Sequence, residues 1–364
     1  MAEFDVLIVG GGIAGASLGA QIAGQARTAI IEAESHCGLH ATGRSAAFWL
    51  ESYGGPNVAV LSAASHDFLE RPPDDFSGHG FLRTRGALHL TRDELPKLPP
   101  GVPSRLIERE ELERILPGVR PDWRRALLEP GCADIDVAGL HAAYLRQFRQ
   151  GGGEVATDSR LIAATHRQGE WTVRLDDGST IHAATLVNAA GAWADPVAEA
   201  CGVRPIGIAP KRRTMVQLRV GRTDLRDLPL VDDAAGTFYF KGEGDRSIWL
   251  TPHDEIESAP CDAAPDEIDI ATAIDRFEQA VDWPVEAVER SWAGLRSFAA
   301  DRVPVYGFDP DVPSFFWCVG QGGFGIQTAP AASSLAASLL LRKEPEAALS
   351  NIRSTIYSPA RFRS

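Results

Sequence analysis

A short apolar run, Asp5 to Val9, leads directly into Gly10, Gly12 and Gly15 of a GxGxxG turn, and a second apolar run, Thr28 to Ile31, ends on Glu32. Few patterns restrict a fold so strongly. The first glycine permits a tight turn, the second lets backbone approach a pyrophosphate, and the third lets helix pack on strand. The Ala/Leu/Ile-rich stretch that follows, opening with Ile13 and Ala14, reads as the helix whose N-terminal N–H groups face the phosphates. Glu32, followed by Ala33, stands 22 residues after Gly10, where a carboxylate accepts ribose hydroxyls and repels a 2′-phosphate. Glycines alone would be weak; with two strands and the acid in register they predict a dinucleotide site. This unit by itself does not separate FAD from NAD.

The rest of the chain extends that unit into an α/β protein. Pro56 opens a helix carrying Val58, Leu61, Phe68 and Leu69 at helical spacing, and Pro72-Pro73 close it. Pro96 to Pro103 reads as an exposed loop. Trp171, Val173 and Leu175 alternate before Asp177-Gly178, a hairpin signal, with a short strand at Leu186-Val187 beyond. Val216, Leu218 and Val220 alternate as in a half-exposed antiparallel strand. Ile270, Ile274, Phe277 and Val281 mark an amphipathic helix ending before Pro284, and Phe315–Val319 reads as a buried strand. The βαβ character lies at both ends and in the middle, with antiparallel signals between. The expectation is a discontinuous Rossmann-like nucleotide-binding domain (1–75, 136–205, 302–364) with an inserted antiparallel-β substrate domain (76–135, 206–301).

With 364 residues the chain exceeds the usual size of one core, and its net charge of −13 argues against nucleic acid or an anionic membrane as main partner. Its five cysteines are scattered and never form a CxxC pair, which points to reduced thiols. The opening MAEFDVLIVGGG lacks a basic n-region and cleavage site, and no run reaches the roughly 18 apolar residues of a membrane span. A cytoplasmic location is expected. His36, Cys37 and His40 cluster in one loop but supply no fourth ligand, so no metal is expected. His89, in an apparent strand, reads as a satisfied or exposed histidine.

Three further segments carry a family likeness: Thr42-Gly43-Arg44-Ser45-Ala46-Ala47, Leu186–Trp193, and Gly320–Thr328. With PKRRT (Pro210–Thr214), FYFK (Phe238–Lys241) and WAGLRSF (Trp292–Phe298), the chain resembles the D-amino-acid-oxidase superfamily of flavoproteins, most of all the bacterial D-arginine dehydrogenases. The resemblance implies non-covalent FAD. Its ADP half would be held by Gly10, Gly12, Gly15, Glu32, Arg44 and Ser45, with Thr42, Gly43, Ala46 and Leu161 nearby. Ala190, Gly191 and Trp193 would let backbone approach the cofactor. The turn of Gly322, Gly323, Phe324, Gly325, Ile326, Gln327 and Thr328 would cover the flavin's pyrimidine edge, where a helix N-terminus stabilises negative charge.

The resemblance also implies an amino-acid substrate. Arg213 and Arg296 would bind its carboxylate bidentately, helped by the hydroxyls of Tyr53 and Tyr239. A lone arginine in an acidic chain is otherwise a surface ion pair, and either tyrosine is otherwise a packing residue. The Gly323 carbonyl would accept from the amine, and Gln327 would shape the pocket. No general base is assigned; water, or a lowered amine pKa in the arginines' field, would serve. Phe48, Leu50 and Ala87 stand where the relatives carry histidine, threonine and the glutamate that pairs with a guanidinium. Losing that carboxylate costs roughly 1.5–3 kcal/mol of a cationic side chain's binding. An apolar side-chain pocket follows, unless Asp232 replaces the charge; Asp232 reads equally as a solvated loop residue. The expected reaction is oxidative deamination of D-amino acids, with quinone or oxygen as acceptor. Oxidation of N-alkyl glycines or 2-hydroxy acids, and a non-catalytic FAD-binding protein, are the alternatives.

Overall fold

The computed structural model describes residues 3–92 and 94–363. Among these, the strands form sheets of eight, ten and three members. The first is built on the opening unit. Phe4–Val9 lies parallel to Thr28–Ile31 on one side and to Thr180–Asn188 on the other, with Glu154–Ala156 and Phe315–Val319 added in parallel beyond. Its side chains alternate in destination. Val6, Ile8 and Ile30 pack under the helices Ile13–Ile22, Val137–Gln150 and Gly325–Leu340, while Leu7, Val9, Ala29 and Ile31 pack with Trp171, Val173 and the helix Ala194–Ala200. Being buried on both faces explains why these strands read as unbroken apolar runs.

The strand expected at Leu186-Val187 is longer. Its first half, Thr180 to Ala183, pairs with Glu170–Leu175 as a hairpin, and its second half enters the parallel sheet. The polar half carries no apolar run to announce it, since hairpin ribbons are only half covered. The helix from Pro56 runs to Glu70 as expected, with proline in its first turn. The Asp136 carboxylate caps Val137–Gln150 by accepting from the Gly139 N–H at 2.9 Å, a contact worth about 1 kcal/mol.

The ten-stranded sheet runs in the order Gln321–Gly322, Val285–Phe298, Ala209–Val220, Ser247–Thr251, Tyr239–Gly242, Leu230–Asp233, Ala87–Thr91, Arg125–Glu129, Arg105–Glu108, with the short tenth strand Ile256–Glu257 paired to Ala209–Val220 beside this path. One face is oily: Leu88, Leu90, Val216, Leu218, Val231 and Phe240 pack against Ala273, Phe277 and Ala280 of the helix Glu267–Ala280. Val216, Leu218 and Val220, expected in a half-exposed strand, are therefore wholly buried. The other face carries the side chains that matter below. Arg213 and Met215 share it with Trp292, Gly294 and Arg296 of the neighbouring strand, and Tyr239 shares it with its cross-strand partner Asp232, which in turn lies opposite His89.

Candidate active site

A cavity of about 360 Å³ runs from the turn after Phe4–Val9 to the polar face of the ten-stranded sheet. At one end its wall is Gly10, Gly12, Ile13, Ala14, Glu32, Ala33 and Leu161; in the middle Thr42, Arg44, Ser45, Ala46, Ala190, Gly191 and Trp193; at the far end Arg213, Met215, Arg296, Gly322, Gly323, Gly325 and Ile326. The backbone explains several of these positions. Gly10 holds φ +107°, and a Cβ there would stand 2.6 Å from the Ala189 carbonyl oxygen. Gly191, at φ +55°, would send a Cβ into open space, so only its missing side chain keeps the cavity clear. The Glu32 carboxylate is fixed by the N–H groups of Gly11 at 2.8 Å and Glu34 at 3.1 Å, and Thr42 Oγ1 accepts from the Ile13 N–H at 3.0 Å.

Five residues assigned to cofactor contacts stand behind this wall. Gly15 packs on the Gly10 carbonyl, Gly43 donates to the Gly38 carbonyl at 2.8 Å, and Thr328 donates to the Phe324 carbonyl at 2.9 Å. Phe324 packs edge-on against Tyr53 at 5.0 Å. Gln327 is a buried bolt: its amide oxygen accepts from the Leu50 N–H at 3.2 Å and its NH₂ donates to Ser62 Oγ at 2.7 Å. Arg44 lines the cavity, yet its guanidinium is spent on the carbonyls of Ala263 and Ala293 and on the Asp262 carboxylate. It ties the 38–47 loop to the second sheet, so its charge is not free for phosphates.

At the far end the two arginines meet. Antiparallel pairing sets Arg296 opposite Lys211 and Arg213 opposite Gly294, so both guanidinium stems rise from one face. The Arg213 side chain is only 3% exposed. Its Nε donates to the Asp254 carbonyl at 2.7 Å, but Nη1 and Nη2 have no hydrogen-bond partner, the nearest acid being Glu255 at 3.5 Å. Burial and then the Arg296 charge hold the Arg213 pKa below the usual arginine range. Arg296 Nη1 donates to the Tyr53 hydroxyl at 2.9 Å. Burial acts to lower the Arg296 pKa, but the nearby Tyr53 and Tyr239 outweigh it and the net shift is upward. Burial acts to raise the Tyr53 phenol; the charges of Arg296 and Arg213 overcome it and hold the phenol below its usual value.

His253 was not anticipated here, because nothing local marks Thr251-Pro-His-Asp as a neighbour of the two arginines. Burial and the Arg213 charge push its pKa down to about 4, so the ring is neutral, with Nδ1 bonded to the Gly236 carbonyl at 2.6 Å. Met215 was also missed, as an ordinary apolar residue of an alternating strand.

The residues assigned to the side-chain pocket separate. Phe48 packs on Tyr239 at 5.4 Å and on Tyr53 at 5.8 Å, beside the clamp. Leu50 and Ala87 are fully buried in the apolar cluster that Met215 and Tyr239 also join and against which Phe48 and Tyr53 pack, so they back these side chains and do not themselves line the cavity. Asp232 is no loop residue. It lies within the strand Leu230–Asp233, and its Oδ1 lies 2.8 Å from Nδ1 of the buried His89, whose Nε2 is 3.3 Å from Glu129. Burial opposes a charge on His89, but Asp232 and Glu129 together raise its pKa to about 10. The His36-Cys37-His40 loop is likewise accounted for by an ion pair: His40 Nε2 meets Glu34 Oε1 at 3.1 Å.

No helix among the described residues is long and apolar enough to cross a membrane. The family described as DAO, FAD dependent oxidoreductase, matches residues 5–339. FAD-dependent oxidoreductase domain-containing protein 1 of Bos taurus is 24% identical over 93% of this chain and 81% of its own length. Hydrogen cyanide synthase subunit HcnC of Pseudomonas aeruginosa is 26% identical over 90% of this chain and 89% of its own. Among solved structures, L-proline dehydrogenase from P. horikoshii superposes with a TM-score of 0.82 at 20% identity, over 99% of this chain and 97% of that one. Glycine oxidase from Geobacillus kaustophilus does so with 0.79 at 20% identity, over 97% and 98%. A cavity shaped by a GxGxxG turn, a fixed carboxylate and an open Gly191 fits FAD, and the chain belongs to the family of FAD-dependent oxidoreductases.

Proposed function

We propose that the protein oxidises the Cα–N bond of small D-amino acids, those with apolar side chains first, to imino acids that water converts to 2-oxo acids and ammonia. The observation that carries this reading is Arg213: a buried guanidinium whose two terminal nitrogens have no hydrogen-bond partner. Its ion-pair partners, Glu255 at 3.5 Å and Asp254 at 3.8 Å, leave those N–H groups uncommitted, and a ligand that accepts from them offsets the cost of their burial. A carboxylate presents two oxygens at the spacing such a fork takes. Arg296 and the Tyr53 hydroxyl stand ready to share the same group, as the charges they exert on one another record.

FAD, when bound, takes up the hydride that leaves Cα. The chain's own residues fix which hydride that is. Arg213 and Arg296 hold the carboxylate, Gly323 offers backbone to the amine, and Phe48, Tyr53 and Tyr239 close the side against water. The nitrogen lone pair forms C=N as the hydride leaves. The amine must therefore be neutral, and the cationic field of two arginines lowers its pKa and releases its proton to water without a dedicated base. We assign segments 1–75, 136–205 and 302–364 to the cofactor and 76–135 and 206–301 to the substrate. The likeness to the D-arginine dehydrogenases belongs to this proposal, but their cationic preference does not, since Ala87 stands where the relatives carry the glutamate that pairs with a guanidinium, and Phe48 and Leu50 stand in place of polar groups.

A second reading, oxidation of N-alkyl glycines, is favoured by one observation: Phe48, Tyr53 and Tyr239 pack on one another and leave a long side chain little room. Proteins named for L-proline, glycine and iminodiacetate share the fold. A purely structural flavoprotein has no use for a buried guanidinium whose terminal nitrogens lack hydrogen-bond partners. Anaerobic mixing of the yellow holoprotein with D-, L- and N-methyl amino acids and 2-hydroxy acids tests all of these. Bleaching by D-leucine and D-methionine ahead of D-arginine is expected. Bleaching by sarcosine alone transfers the assignment to the second reading, and bleaching by none of the panel refutes enzymatic oxidation of these acids.

A further inference from the structure

A second cavity, of about 940 Å³, lies against the first with one loop between them. Gly38, Leu39, Thr42, Ser45 and Ala46 line both, so the partition is a single layer of small residues. The volume falls within the roughly 300–1,000 Å³ of small-molecule sites. Phe81, Leu82, Ile135 and Leu145 give it apolar walls, and Lys241 and Trp249 stand on its sheet side.

The charge at the base is unusual. Asp134 is shared between two buried cations: its Oδ1 is 2.9 Å from Lys241 Nζ and its Oδ2 is 2.8 Å from Arg85 Nε. The Lys241 side chain is 5% exposed, has a further, partly exposed carboxylate, Glu243, at 3.5 Å, and lies 4.9 Å over the Trp249 ring. An ammonium has three donors, so two acids leave one hydrogen for a ligand oxygen. A path of aromatic rings runs from here to the first cavity. Trp249 packs edge-on against Trp292 at 5.2 Å, and the Trp292 indole N–H donates at 3.0 Å to the carbonyl of Arg44, which lines the first cavity.

We propose that this second cavity binds the electron acceptor, a planar quinone, with its ring against Trp249 and a carbonyl oxygen on Lys241. The inference rests on FAD occupying the first cavity, not on which acid is oxidised there. The quinone takes two electrons from the reduced cofactor in the adjoining cavity, together with two protons, equal in number to those the cofactor and the oxidised substrate release to solvent. Its two carbonyls become the two hydroxyls of the quinol, and the cofactor returns to its oxidised form. Electron tunnelling decays exponentially with distance, so a partition one loop thick serves where a second protein layer would not. The remaining N–H of Lys241 favours the negative charge a quinone oxygen gains first.

The test uses holoprotein and duroquinone, a fully substituted quinone to which thiols have no free ring position to add. Ala138 and Ala142 are exposed on the first turns of the Val137–Gln150 helix and line this cavity, so Ala138→Trp and Ala142→Trp fill it without removing a bond. Calorimetry is expected to give one saturable site in the parent and an affinity at least tenfold weaker in at least one variant, with the absorbance of bound FAD unaltered. Reoxidation of photoreduced holoprotein by duroquinone slows in parallel. No amino acid is present in either measurement, so its outcome is separate from that of the substrate panel. Absence of saturable binding, equal affinity in both variants, or displacement of the quinone by an amino-acid carboxylate would overturn the proposal.

Discussion

Replacing Arg213 by methionine separates a ligand-binding arginine from a structural one. In the free protein this guanidinium makes one hydrogen bond, Nε to the Asp254 carbonyl, and leaves Nη1 and Nη2 without a hydrogen-bond partner. Methionine fills similar volume and gives up that bond and the long ion pairs to Glu255 and Asp254, but it also removes a buried charge whose desolvation costs several kcal/mol. The two nearly offset, so Tm is expected to stay within about 3 °C of the parent or to rise. Binding behaves differently. Each charge-assisted bond to a carboxylate is worth about 1.5–3 kcal/mol, so losing one raises the substrate's half-saturation about 10- to 150-fold. The assay is anaerobic stopped-flow bleaching against substrate concentration, with thermal unfolding of the same sample. Unchanged half-saturation would refute the clamp. A large fall in Tm would show that Arg213 is there to hold the fold.

Tyr53→Phe removes the hydroxyl that accepts from Arg296 at 2.9 Å and is expected to raise the same half-saturation about 3- to 10-fold. Gly191→Val projects a side chain into the open cavity, so purified protein is expected to lose most of its yellow colour while far-ultraviolet circular dichroism keeps its shape. His89 gives a pH signature. Its pKa is raised in the fold to about 10, so its contribution to stability is complete below the unfolded value near 6.5 and is lost as pH climbs from there through 10. Tm is expected to fall by several degrees between pH 7 and 10, and His89→Gln is expected to flatten that slope from a lower starting Tm.

The opening unit was legible because its signals are local: apolar runs, glycines and an acid at fixed offsets. The helices at Pro56 and Ile270 were legible for the same reason. The clamp was not. Arg213 and Arg296 become neighbours only through antiparallel pairing of strands separated by a helix and several loops, and no residue near either announces it. Family likeness singled out these two residues; local pattern alone would have left both as surface charges. Family likeness also named Ala87 and Leu50, which pack behind Tyr239 and Met215 where local pattern shows only apolar residues. His89 was legible as a satisfied histidine in a strand, but its partner Asp232 was not, because a charge in a strand breaks the apolar alternation that reveals strands. The partners that tie Arg44 to the second sheet lie more than 200 residues away, beyond the reach of any local signal.

In the Ala209–Val220 strand Arg213 and Met215 face the cofactor cavity, while Val216, Leu218 and Val220 pack toward the Glu267–Ala280 helix, to which Arg212 is tied through Asp269. Chemistry and cohesion are thus interleaved along one thread. Substitutions at 213 or 215 can re-tailor what the site accepts while the apolar side stays intact. Losing a single residue upstream of Arg213 is another matter, for it would swap the two sides together and bring a guanidinium toward Phe277. Evolution of this active site is free to spell new letters and barred from shifting the reading frame of the strand.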